Sequence, residues 1–367
     1  MKSYPIKTIN LDQAISLQHK LVDSITKEFD GVEILSTGDL GVNPKNNQPL
    51  ITGKVERVFA DFFESEDAVF VRGSGTGAIR EGLASMLEPG STLLVHTSEI
   101  YSTTQTTIKL AGYKLVRANF NDLDELKRVV KEKDIRACLI QFARQEISDS
   151  YDMGEVIATI KSANPSIKIL TDDNYVVMKV LKIGSQLGAD LSCFSLFKLL
   201  GPEGIGLVVG KKEEVEKIRK FHYSGGSQVQ GFEAMDALRS LVLAPVQLAI
   251  QSRQIDLLNE EINKGAIAGV KGSLIANAQS KVLLVEFEEK IAKEVLKQAS
   301  ILGAAAYPIG SESKYEIAPM FYRLSGTMRK SDQRFEDYWI RINPMKASKD
   351  TVLRILKESI KRAKNVS

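Results

Sequence analysis

The amino-acid sequence predicts an α/β protein: a mostly parallel sheet of about seven strands with helices on both faces, followed by a smaller α+β domain. Three observations carry this expectation. Between about residues 67 and 210 short β-rich runs alternate with amphipathic segments, the pattern of β-α units that pair side by side in parallel. After Gly210 the alternation gives way to long helical periodicity, which marks a change of architecture. The 367 residues, at about 150 per domain, leave room for two domains.

The elements follow in order. Residues 11–29 read as a leading helix, 37–49 as a Gly/Asn/Pro loop and 53–63 as a second helix. Strand-like runs occur at 67–72, 92–96, 113–118, 136–142, 167–171, 190–195 and 204–210. The segments at 78–87, 103–112, 122–133 and 153–163 have the spacing of amphipathic helices. A charged helix over 211–220 and a Gly-rich loop at Ser224 to Ser227 lead into a long helical stretch that includes 244–263. The remainder mixes strand-like runs (280–287, 315–324, 338–344) with helices (291–303, 351–363). The organisation expected is an N-terminal arm over 1–45, a large α/β domain over 46–245 and a small domain over 246–367 with an interdomain helix.

Composition narrows the function classes. There are 49 basic and 46 acidic side chains, a net charge of +3, which gives no electrostatic footprint for nucleic acid or an anionic membrane. The start lacks the apolar region of a signal peptide, and the greasiest run, 240–250, is broken by Pro245 and Gln247, so no membrane segment is expected. Cys138 and Cys193 lie inside apolar runs, the setting of buried thiols in a reducing compartment. A cytoplasmic location follows as an expectation. The three histidines are scattered and no Cys-x-x-Cys or His-Glu-x-x-His occurs, so no metal site is expected.

Three motifs carry chemistry. Gly73-Ser74-Gly75-Thr76-Gly77-Ala78 lies directly after a strand and before a helix; free N–H groups at a helix start attract anions, and glycine lets a phosphate approach closely. Its spacing also satisfies a loose dinucleotide fingerprint and is compatible with a plain turn. Thr171-Asp172-Asp173-Asn174 ends a strand, on the rim where α/β sheets bind ligands, though helix capping, a solvated turn or magnesium ligation uses the same residues. Lys198 is flanked by Leu196, Phe197, Leu199 and Leu200; an amine in such a setting loses its proton more readily or is covalently engaged, unless it snorkels to solvent. Together the three are the parts that hold pyridoxal 5′-phosphate (PLP): a cup for the phosphate, a carboxylate for the ring nitrogen and a lysine for the Schiff base.

On these residues the sequence resembles the fold-type I PLP enzymes, the aminotransferase superfamily, near its Cys/Met-metabolism and class V branches, over nearly the whole chain. Ser74, Gly75 and Thr76 match the family's Ser-Gly-x-x-Ala phosphate loop. Tyr101, 26 residues beyond Gly75, matches the aromatic residue that stacks on the cofactor ring. Asp173-Asn174 is similar to the family's Asp-Asn pair, with Lys198 following Asp173 by 25 residues. Ser195, three before the lysine, matches a serine that helps hold the phosphate. The family's Tyr-x-Arg is replaced here by Gly38-Asp39-Leu40-Gly41, a departure from the γ-lyase pattern. For the substrate α-carboxylate the resemblance implies an arginine of the small domain. Arg341 in Trp339-Ile340-Arg341-Ile342-Asn343-Pro344 is the first choice, with Arg323 and Arg329 as competitors. Arg144 reads either as a group that approaches the cofactor or substrate or as a surface arginine.

The resemblance implies a PLP-dependent enzyme acting on an amino acid, foremost an aminotransferase, alternatively a β/γ-eliminating lyase, and working as a homodimer. From the Gly73 motif alone a nicotinamide-dependent oxidoreductase remains a rival; it needs Glu99 as its acidic residue. A catalytically silent protein that keeps the cofactor site is a third expectation.

Overall fold

The structure is a computed structural model that describes residues 2–44, 46–143, 146–265, 267–278, 280–307, 312–324, 326–332 and 334–366. The chain divides into two compact units: a large one of residues 12–143 and 150–245, and a small one of residues 1–11, 144–149 and 246–367. The expected arm, 1–45, is therefore shared between them. Helix α1 (Leu11–Glu28) buries Ala14, Leu21 and Ile25, and its Ser24 and Lys27 bind Asp61 at 2.6 and 2.9 Å on helix α2 (Leu50–Phe62). The residues before it hydrogen-bond elsewhere, Ile6 to Asn277 at 3.0 Å and Thr8 to Ser252 at 2.8 Å. Ile147 packs with Trp339 and Leu284, so residues 144–149 group with the small unit although they interrupt the large one in sequence.

The large unit is built on seven strands: β1 (Asp67–Arg72), β2 (Thr92–His96), β3 (Lys114–Ala118), β4 (Ala137–Gln141), β5 (Lys168–Asp172), β6 (Leu191–Ser195) and β7 (Ile205–Gly210). They stand in the order β1-β7-β6-β5-β4-β2-β3. Pairing is parallel from β3 across to β6 and antiparallel on both sides of β7. The connection from β6 to β7 is too short for a crossover helix, and a short return forces an antiparallel neighbour. Helices α3 (Ser74–Met86), α4 (Ser102–Ala111), α5 (Leu123–Glu132), α6 (Met153–Ala163) and α7 (Lys212–Phe221) cover the sheet. Side chains alternate along each strand. Leu170 joins Ala78, Leu83, Val208 and Ile218 under α3 and α7, while its neighbour Ile169 joins Leu126, Val156 and Ile160 under α5 and α6.

Helix α8 (Gly231–Asn263) contains Pro245, where the large unit ends. The small unit has strands β8 (Val270–Ala278), β9 (Ser280–Phe287), β10 (Met320–Tyr322) and β11 (Trp339–Asn343) in an antiparallel sheet of order β10-β11-β9-β8. Helices α9 (Ala292–Ile301), α10 (Gly326–Ser331), α11 (Arg334–Asp337) and α12 (Lys349–Val366) complete it. Leu283, Val285, Ile340 and Ile342 face Leu258, Val295 and Leu356 on one side of this sheet. Among the described residues no helix is long and apolar enough to cross a membrane.

Candidate active site

The site is assembled at the carboxyl ends of β1, β5 and β6. At the first, Gly73 takes a left-handed conformation (φ +96°) and Ser74 another (φ +56°). Their N–H groups donate to Gly204 O at 2.8 and 3.1 Å, which ties the start of α3 to the β6–β7 connection. The N–H groups of Gly75 and Thr76 lie in the first turn, where a helix supplies no acceptor, so the helix start points two donors and its positive end outward. Gly75 is required by space: a Cβ there would lie 2.5 Å from Asn174 Oδ1. Thr76 donates to Thr103 Oγ1 at 3.1 Å, and Tyr101, half-exposed, precedes α4 two residues before that threonine.

Asn174 joins the three motifs. Its Oδ1 accepts from Ser195 N at 3.0 Å and from Lys198 Nζ at 3.3 Å. Its Nδ2 and backbone N donate to Asp172 Oδ1 at 2.7 and 3.1 Å. Lys198 sits in a single 3-10 turn, Phe197–Leu199, held by Leu199 N and Gly201 N donating to Leu196 O at 2.8 and 2.9 Å. Its Nζ lies 3.9 Å from the centroid of the Tyr175 ring.

The two aspartates diverge. Asp172 shares the β5 face of Leu170, the α3 side; burial raises its pKa, and the Lys198 charge and the Asn174 hydrogen bonds hold the rise back. Asp173, the residue the sequence analysis placed at the ring nitrogen, follows the other face with Thr171. Its Oδ2 accepts from Gly184 N at 3.0 Å, and the Ser192 and Thr171 hydroxyls bond to the same carboxyl. Burial pushes its pKa up to about 6. Its Oδ1 is a buried side-chain atom without a hydrogen-bond partner among the described residues. The period-two alternation of a strand separates neighbours onto opposite faces, and it selects Asp172 for the α3 side. Tyr175, which sequence reasoning missed, lies three residues past Asp172. That alternation, counted forward from the apolar Leu170, reaches Asp172 at the end of β5 and gives no signal for Tyr175.

In the small unit Arg341 is buried within β11 and is the cross-strand partner of Tyr322, whose ring centroid is 4.1 Å from its guanidinium. Its Nε donates to Arg323 O at 3.0 Å. Of the two competitors, Arg323 has an exposed position just after β10, and Arg329 is half-buried on α10 with its Nε on Leu324 O at 3.1 Å. Arg144 lies outside the described residues. Glu99, required by the nicotinamide alternative, lies beyond the last residue of β2, His96. Among the described residues no group of three or more His, Cys, Asp or Glu is arranged to hold a metal ion.

Comparison with known proteins gives the family. The aminotransferase class-V model matches residues 45–285, and a YhfS-like C-terminal domain matches 256–356. The uncharacterized protein YhfS of Escherichia coli strain K12 is 50% identical over 98% of this chain and 99% of its own length. Its crystal structure, described as a pyridoxal-5′-phosphate dependent protein, superposes with a TM-score of 0.97 over 99% of this chain and 100% of that one. A probable cysteine desulfurase of Ureaplasma parvum serovar 3 is 25% identical over 44% of this chain and 42% of its own. A cystathionine gamma lyase from Micromonospora echinospora shares the fold, with a TM-score of 0.73 at 15% identity over 94% of this chain and 99% of that one. This chain belongs to the class-V aminotransferase family, within the fold-type I PLP-dependent superfamily.

Proposed function

We propose that this protein is a PLP-dependent enzyme that acts on an amino acid through Lys198, and that its reaction is amino-group transfer. The observation that carries the reading is the convergence on Asn174 of an amine, a buried carboxylate and the first turn of α3. The donor set fits the cofactor: N–H groups for a phosphate, an acidic oxygen for a pyridinium proton and an amine for an aldehyde. When bound, PLP supplies the aldehyde that takes the amino group and a ring that accepts the electrons of a breaking α-bond.

The residues have distinct work. The N–H groups of Gly75 and Thr76, with Ser74 and Ser195 beside them, hold the phosphate, which a helix start favours by its positive end. Asp172 is assigned the proton of the ring nitrogen, because the Lys198 charge and the Asn174 hydrogen bonds counter the rise in pKa that burial causes; Asp173, with an oxygen that lacks a partner among the described residues, is the alternative that kinetics of the paired Asn variants decide. Tyr101 flanks the ring from the loop before α4. Lys198 Nζ, once released by the incoming amine, moves the proton at the α-carbon as acid and base. Arg341 offers a guanidinium for the substrate carboxylate, a fork whose geometry matches two oxygens.

The same Lys198 and Asp172 serve expulsion of a β- or γ-substituent, and the family match favours transfer. Purified protein should absorb as a lysine-bound aldehyde cofactor, and borohydride should bleach it and leave the label on Lys198. Colourless protein that takes up no PLP overturns the reading. A keto acid without ammonia supports transfer; ammonia released from a β-substituted amino acid shows elimination.

A homodimer is part of the proposal. Val32, Leu35, Leu40, Tyr223 and, at the start of α8, Phe232 expose apolar surface, in segments fastened together by Gly41 N to Gln230 Oε1 at 2.8 Å and Asn47 Nδ2 to Tyr223 O at 3.0 Å. A second copy covering this face is the occupant favoured; monomer alone in light scattering at working concentration refutes it. A cytoplasmic location is supported by Cys138 and Cys193, both free and buried.

A further inference from the structure

We propose that Tyr175 is a positioning residue that holds Lys198 whenever the lysine is not joined to a carbonyl. The proposal rests on the reading of Lys198 given above and adds a residue to it. The ammonium-to-centroid distance of 3.9 Å is well inside the roughly 6 Å range over which an aromatic face attracts a cation. The same nitrogen lies 3.3 Å from Asn174 Oδ1.

The backbone is bent to achieve this. Tyr175 has φ +69° and Met178 φ +62°, a left-handed conformation that bulky side chains rarely adopt. The turn that imposes it is fastened by Val176 N to Asp173 O at 3.2 Å and Lys179 N to Val176 O at 2.9 Å, over the buried Val176 and Val177. An aromatic ring kept for packing would be buried with its neighbours; this one is only partly buried while residues 172–174 and 176–180 are all buried. Backbone strain held by a buried turn, with an aromatic face delivered to Lys198, points to function.

The consequence concerns the freed amine. When an α C–H bond breaks, its proton goes to Nζ and its electron pair stays on the substrate carbon, which the cofactor ring would stabilise when bound. The amine becomes an ammonium, the form an aromatic face stabilises. Tyr175 therefore favours the proton-accepted state of Lys198 and keeps it beside Asn174. Asp172, whose charge Lys198 feels, is common to every variant below, so differences among them isolate the ring.

The test uses cofactor-free full-length protein, so it is independent of whether PLP is the cofactor. Lys198 is methylated with formaldehyde and cyanoborohydride over a pH series, and its labelling is read by peptide mass spectrometry in wild type, Tyr175→Phe, Tyr175→Leu and Tyr175→Gly. The Gly variant relieves the left-handed backbone and guards against a folding failure of Leu. Leu and Gly should lower the pH midpoint of labelling, so that at a fixed pH below it Lys198 reacts about 3–10-fold faster; Phe should stay within about twofold of wild type. Simple loss of shielding would raise the plateau rate and leave the midpoint in place. An unmoved midpoint in Leu and Gly overturns the proposal, as does a Phe variant that behaves like Leu. In the loaded enzyme, Leu and Gly should lower kcat with KM for the amino acid unchanged, and Phe should restore most of kcat.

Discussion

The two faces of β5 at its carboxyl end differ more than the two residues that occupy them. Asp172 and Asp173 are chemically identical and adjacent, and burial raises the pKa of both. Asp172 faces a cation and an amide, so its charge is answered. Asp173 faces the hydroxyls of Thr171 and Ser192 and one N–H, and has one oxygen without a partner among the described residues. One side of the strand sets a carboxylate beside a cation, and the other holds a carboxyl whose pKa burial pushes up to about 6. Position on a pleated strand, rather than residue type, gives the two carboxylates their different surroundings.

That contrast can be broken or sharpened by substitution, beginning with the largest effect. Lys198→Ala should remove colour and turnover together, by at least about 10³-fold, because the nucleophilic amine is lost; absorbance and product formation measure it. Asp172→Asn should lower kcat about 10²-fold or more, roughly 3 kcal/mol of transition-state stabilisation, whereas Asp173→Asn should cost less than about threefold. Steady-state kinetics of the pair, run side by side, would invert the assignment if Asp173→Asn were the crippled one.

On the Asp173 side the expected effect is on stability. Its pKa is raised from 3.8 to about 6 in the folded protein, so its proton binds more tightly when folded. The stabilisation is complete below 3.8 and is lost as pH rises through about 6, a difference of about 3 kcal/mol. Urea unfolding should show Asp173→Asn gaining about 1.4 kcal/mol on wild type between pH 5 and pH 8, the part of that difference not yet lost at pH 5. An equal gap at both pH values would contradict it.

Smaller effects concern binding. Arg341→Lys keeps the charge and loses the fork, and should raise KM for the amino acid about tenfold with kcat less affected. Gly75→Ala sets a methyl group 2.5 Å from Asn174 Oδ1 and should weaken PLP binding about tenfold, about 1.4 kcal/mol, in a fluorescence titration.

Much of this was legible beforehand. The seven strand-like runs correspond to β1–β7, since a parallel sheet covered on both faces demands near-continuous apolar strands with polar-faced helices between them. Gly73 to Ala78 read as a candidate anion site, and at Gly75 the structure leaves no room for a Cβ; Lys198 stood out as a charge among apolar neighbours. The antiparallel turn of β7 was not anticipated, although the short β6–β7 connection implied it. A motif's spacing pointed to Asp173, strand alternation points to Asp172, and the paired Asn variants decide between them. Tyr175 gave no signal of its own, because its contribution depends on a backbone conformation that its residue type disfavours.

Local chemistry by itself determined the elements and the kinds of group this protein brings to bear: periodicity writes helices and strands, and glycine, acid and amine each have a limited repertoire. Only the tertiary structure decided which groups meet. Asn174 touches residues 21 and 24 positions away in sequence, and such convergence is produced by parallel strands ending at a common rim, a property of the sheet and of no segment within it.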